Sequence, residues 1–170
     1  IKTDPLFRCY DHHKLTFQLT YIFSEHFILP LSHDEVVHMK GSMISKMPGD
    51  YNQKFAGLRA YYLYMMTHPG KKLLFMGGEI GQFREWSEAR ELDWSVLNYD
   101  NHQKLQRFVK ELNCLYKKEK ALFENEINWD GFRWIVVNDE NHNVLAYKRI
   151  SFDNSQLIVV LNFSFCDIIF

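Results

Sequence analysis

The sequence predicts an α/β region followed by an all-β region. Helix-period and strand-type segments alternate up to about residue 118, and each strand there ends in a polar or glycine-rich cluster. Beyond that point, β-rich runs are separated by Asn/Asp turn clusters. Alternation of the first kind signals βα units and a parallel sheet, and short strands joined by turns signal an antiparallel meander.

Each element has its own warrant. Lys14 to His26 reads as a helix because Leu15, Leu19, Ile22 and Phe23 share one face at the 3.6-residue period. Phe27 to Leu31 reads as a strand, although Pro30 is awkward inside a central one. After Pro48-Gly49, Asp50 caps a helix running from Tyr51 to about Thr67, which Pro69-Gly70 stops. Lys72 to Met76 is a second strand, ended by Gly77-Gly78-Glu79, and a polar, aromatic loop spans Gln82 to Asp93. His102 to Lys118 is a third helix, carrying Leu105, Phe108, Val109, Leu112 and Leu115. Strands follow over Phe132–Val137, Val144–Ile150 and Leu157–Phe163, with turns in Asn138–Asn143 and Asp153–Ser155. The apolar run Cys166–Phe170 reads as one more strand cut short. The texture changes near residues 119–128, so the expected organisation is 1–118 and 119–170. The opening on Ile1, with neither Met nor a signal-type segment, reads as a piece of a longer polypeptide.

Composition narrows the function classes. Apolar residues make up 46% of the 170, enough for a core, and aromatics reach 16%. Rings at that density serve either burial or stacking on sugars and bases. The 20 basic and 21 acidic side chains are interspersed, with a formal net charge of −1. Without a basic face or charge run, nucleic acid and anionic membrane are poor partners. No segment approaches the roughly 18 apolar residues of a membrane span. Cys9, Cys114 and Cys166 are odd in number and widely spread, which fits reduced thiols and a cytoplasmic setting.

Chemistry concentrates in three places. The run Phe27-Ile-Leu-Pro-Leu-Ser ends in His33-Asp34-Glu35, three polar residues at the C-terminal end of a strand, where α/β barrels build active sites. A hydrogen-bonded structural His-Asp pair is the bland reading. His33 and His38 are five apart, about 140° around a helix, so the i, i+4 zinc pattern is absent and no metal is expected. Gly77-Gly78-Glu79-Ile-Gly-Gln82 matches no phosphate-loop motif; it reads as a tight turn bringing Glu79 toward the same mouth as Asp34, or as a purely structural turn. Trp86, Asp93 and Trp94 lie on a polar loop with Arg84 and Arg90, which suits carbohydrate stacking or a loop pinned by aromatic anchors. Gly131-Phe-Arg-Trp-Ile135 mimics the segment that carries an amylase-type nucleophile, but the acid position holds Ile135.

Several runs together resemble the 1,4-α-glucan (glycogen) branching enzymes of the α-amylase family. These are Asp11–Phe17, Leu29-Pro-Leu-Ser-His-Asp-Glu-Val-Val-His38, Lys46–Asp50, Thr67–Glu79, Arg84-Glu-Trp86 and Glu91-Leu-Asp-Trp94. The resemblance implies that 1–118 is the C-terminal portion of a (β/α)₈ TIM barrel, its last strands and helices. Residues 119–170 would begin an antiparallel C-terminal β-sandwich. It implies that Asp34 stabilises the transition state and His33 binds the same sugar. Glu35, Glu79, Trp86, Asp93 and Trp94 would contact or support an α-1,4-glucan substrate such as glycogen. No cofactor is implied. The family's nucleophile and acid/base would lie upstream of Ile1, so the isolated chain is expected to be inactive and poorly stable. Met39 stands where the family usually has Gly, and Asn52 where an aromatic is frequent. Alternatives left open are another α-amylase-family hydrolase, debranching or trehalose-releasing, and a non-catalytic glucan-binding module.

Overall fold

The computed structural model of the chain describes residues 1–168. The N-terminal stretch does not form the single helix that its apolar period predicts. It folds as 3-10 turns over Pro5–Asp11 and Phe17–Thr20 around one α-turn, α1 (His13–Thr16). Thr16, Thr20 and Ser24 each donate a hydroxyl hydrogen bond to the carbonyl three residues back, at 3.1, 2.6 and 2.7 Å. Side chains that compete for helix carbonyls every fourth residue favour tight, broken turns over a continuous helix. The apolar period still does its packing work, because Leu19 and Ile22 are buried.

Strand β1 (Ile28–Leu31) pairs in parallel with β2 (Lys71–Leu74), Ile28 opposite Lys71 and Leu31 opposite Leu74. The Lys71 amide donates to the Phe27 carbonyl at 3.1 Å, and the Phe75 amide donates to the Leu31 carbonyl at 2.9 Å. In a strand, alternate residues face one neighbour, so Phe27, Leu29 and Leu31 serve β2 while Pro30 faces away. Its missing N–H therefore removes nothing from this ladder.

Helix α2 (Tyr51–Thr67) connects the two strands. Asp50 accepts from the Gln53 amide at 2.9 Å, and Gln53 accepts from the Asp50 amide at 2.8 Å, a reciprocal capping box. The helix is apolar on two sides because it separates two cores. Phe55, Leu58, Tyr62, Met65 and Met66 pack with Leu105, Val109 and Leu112 of α3 (Asp100–Lys118) and with Leu31. Tyr64, with Ala60, turns to the opposite core, and Leu63 packs against both.

That second core lies under an antiparallel sheet of order β3–β4–β5, formed by β3 (Phe132–Asp139), β4 (Val144–Ile150) and β5 (Gln156–Asn162). Phe132, Leu145, Tyr147, Val159 and Leu161 fill its inner face, together with Leu19 and Ile22. The outer face leaves Ile135, Ile158 and Val160 48%, 60% and 50% exposed. The strand expected over Cys166–Phe170 is not formed at 166–168, and positions 169 and 170 lie outside the described residues.

A polar seam joins the two cores. Arg149 of β4 is fully buried, and its guanidinium donates to the carbonyls of Thr67 at 2.8 Å and Gly131 at 3.3 Å. Glu126 meets Lys71 at 2.6 Å and Lys72 at 3.7 Å. The Lys72 ammonium also sits 5.4 Å from the Tyr116 ring centre and bonds the His68 and Gly70 carbonyls. Among the described residues, no helix is long and apolar enough to cross a membrane.

Candidate active site at the ends of two parallel strands

Because β1 and β2 run in parallel, the segments that leave their C-terminal ends emerge on the same edge. The segment after β1 turns at once into a 3-10 turn over His33–Glu35. The His33 Nε2 atom lies 3.3 Å from Asp34 Oδ1, and the two side chains are 56% and 69% exposed. An aspartate so open to water, with one imidazole beside it, can meet a polar ligand without displacing a protein partner. Two lysines hold the main chain of the turn. Lys40 Nζ donates to the Asp34 carbonyl at 2.7 Å, and Lys46 Nζ donates to the Glu35 carbonyl. Lys46, its side chain only 5% exposed, also pairs with the Glu35 carboxylate at 3.0 Å. Glu35 is thus held by a buried lysine, whereas the Asp34 carboxylate has only the exposed His33 ring beside it.

The segment after β2 supplies an aromatic wall. Phe75 stands 6.1 Å from the His33 ring, and Trp86 packs edge-on against Phe75 at 5.2 Å. A row of three rings therefore joins the two strand ends. The glycine turn holds the chain close: Gly77 has φ +88, and a Cβ there would meet the Gln82 amide carbon at 2.9 Å. Glu79 is half-buried in that turn, at the edge of a cavity of about 610 Å³ that Tyr62, Lys72, Met76 and Leu112 also line. Asp93 is half-buried; its amide donates to Gln82 Oε1 at 3.2 Å, and its carboxylate accepts from the Ser95 hydroxyl at 2.6 Å. Trp94 follows at 51% exposure, opening a 3-10 turn over Trp94–Asn98. Among the described residues, no three His, Cys, Asp or Glu side chains converge on a metal-sized site.

No protein-family profile matches the chain. Curated proteins do match. The 1,4-alpha-glucan branching enzyme GlgB of Aquifex aeolicus is 54% identical over 162 residues, 95% of this chain and 26% of that protein. That of Halothermothrix orenii is 53% identical over 165 residues, 96% of this chain and 26% of its own length. That of Pseudomonas putida is 53% identical over 164 residues, 96% of this chain and 22% of its own length. The chain is a homologue of the 1,4-α-glucan branching enzymes. It spans about a quarter of the length of the relatives it matches.

Within this branching-enzyme homologue, the structure brings His33, Asp34, Phe75 and Trp86 together at one edge. Glu35 sits in the same turn but is tied to Lys46, Asp93 is tied into the turn before Trp94, and Glu79 borders the neighbouring cavity. Sequence reasoning missed Lys40, Lys46 and Phe75. Two lysines shortly after an acidic cluster were a usable signal for the first two. The ring row needed the parallel pairing of β1 and β2 to be known, because Phe75 reads simply as a strand residue.

Proposed function

We propose that this chain forms part of the glucan-binding and catalytic machinery of a 1,4-α-glucan branching enzyme. In this reading residues 1–118 are the C-terminal portion of a (β/α)₈ catalytic barrel, and 119–170 begin a C-terminal β-sandwich. Support for the first part comes from the parallel β1–β2 pair with α2 as its crossover. Support for the second comes from the apolar outer face of the meander, at Ile135, Ile158 and Val160, which a second sheet would cover.

The observation that carries the reading is the exposed Asp34 carboxylate at the end of β1, in a chain about half identical to branching enzymes. Glycosidic cleavage with retention places a nucleophile and an acid/base about 5–5.5 Å apart and passes through an oxocarbenium-like transition state. Positive charge grows on the sugar in that state. An ionised Asp34 beside it stabilises the transition state more than the ground state. His33 donates to the same sugar from the adjoining position, and the Phe75–Trp86 wall offers an apolar face to the ring. The cleaved chain then passes to a sugar 6-hydroxyl, making an α-1,6 branch. Nucleophile and acid/base would come from other parts of the whole enzyme, so the 170 residues alone would not turn over amylose.

The test uses the full-length polypeptide carrying this stretch, incubated with amylose beside its Asp34→Ala form, with branch points counted after a debranching digest. Branching should fall by about 10²–10³-fold in the variant, the loss typical of removing one transition-state stabiliser. New reducing ends without branches would mean a hydrolase instead. Unchanged branching in Asp34→Ala would sink the assigned role.

A further inference from the structure

Glu85 belongs to the loop after β2, yet its carboxylate is spent on the loop after β1. Its Oε2 accepts from the Met39 amide at 3.1 Å, and its Oε1 accepts from the Gly41 amide at 2.6 Å. Next to it, the Trp86 amide donates to the Val36 carbonyl at 3.0 Å. Three bonds therefore stitch the two loops together, two of them to one anion.

The backbone they hold is unusual. His38, Met39 and Gly41 have φ of +56, +64 and +77, so two side-chain-bearing residues in succession are left-handed. Such conformations aim nearby amides into one concavity, which suits an anion. They also carry steric strain that persists only when surroundings impose it. The half-buried Glu85 carboxylate is what imposes it here. Lys40, between the two clamped amides, reaches back to the Asp34 carbonyl at 2.7 Å. Displacing the clamp moves Lys40, and with it the turn that carries Asp34.

We propose that Glu85 is a positioning residue for the branching reaction: by accepting the Met39 and Gly41 amides, it fixes the loop that holds Asp34 and sets the spacing between the loops that follow β1 and β2. This rests on the reading of Asp34 as a transition-state carboxylate.

Glu85→Ala and Glu85→Gln are compared in the full-length polypeptide. In Glu85→Ala, kcat for branching should fall by about 10²-fold with KM changed less than about twofold, since misplacement of about 1 Å costs on that order. Amide hydrogen exchange at Met39 and Gly41 should quicken at the same time. Glu85→Gln, which keeps a carbonyl oxygen in place, should restore most of kcat and much of the protection. Unchanged exchange at those amides in Glu85→Ala overturns the proposal. So does a raised KM with kcat intact, which would make Glu85 a substrate contact. If Glu85→Ala does not fold, Glu85→Gln decides by the same readouts, through partial loss of kcat and partial loss of protection. Faster exchange in the Glu85 variants beside full branching by Asp34→Ala would leave the clamp standing and remove the catalytic role of Asp34.

Discussion

Met39 shows how much one residue can say about the site. Its side chain is 96% exposed, so it packs on nothing, and its φ is +64. A left-handed backbone costs a residue with a Cβ about 1–2 kcal/mol, and Gly pays only part of that back through its looser unfolded state. Met39→Gly should therefore raise stability by about 0.5–1 kcal/mol. Thermal melts of the two forms check this, and a lower melting temperature in the variant would remove strain from the account. The departure at Met39 was visible in the sequence, against the pattern the chain resembles. The sign of its φ was not, because a sequence does not state backbone handedness outside glycine. The sequence placed Asp34 at the end of an apolar strand, and the structure puts it there, exposed and beside His33; its catalytic role is the proposal that the Asp34→Ala comparison tests.

Elements with strong punctuation were the readable ones. Asp50 before Tyr51, and Pro69-Gly70 after Thr67, bounded α2 in the sequence, and the structure ends it at the same residues. Asp50→Ala leaves the Gln53 amide without its acceptor and should cost about 1 kcal/mol, read as a lower urea midpoint with an unchanged slope. The stretch from Lys14 to His26 had the right period and the wrong helix. Its three hydroxyls, at Thr16, Thr20 and Ser24, bond back to carbonyls and break it into turns. If that competition is the cause, replacing all three with Ala should lengthen the helix and deepen the far-UV helical signal. An unchanged spectrum would mean that tertiary packing alone sets those turns. The sequence could not reveal this because a period reports which face is apolar, not how tightly the backbone coils.

At the scale of the whole molecule, the seam between the two cores contributes to the response to pH, and no sequence pattern announced it. Lys72, Glu126 and Arg149 are far apart in the chain, and only folding makes them neighbours. Burial pulls the Lys72 ammonium from its ordinary 10.5 down to about 7, against the pull of Glu126. It likewise pulls the His68 imidazole from 6.5 to about 3. In both cases the unfolded chain binds a proton that the folded chain releases, so stability rises with pH across each window. For His68 the gain is lost as pH falls from 6.5 toward 3, and for Lys72 as it falls from 10.5 toward 7. Tyr116 works the other way: burial, with Glu126 adding to it, raises the phenol from 10 to about 12, so its contribution is lost as pH climbs through that range. Stability should accordingly rise as pH climbs from 7 and turn over where the Tyr116 loss, beginning near 10, overtakes the Lys72 gain. Urea midpoints measured across the pH scale test this. Lys72→Met should flatten the rise above pH 7 and leave most of the acid limb, since burial rather than the Lys72 charge is the larger cause of the low His68 pKa. A variant that kept the full alkaline rise would show that the gain arises outside the seam.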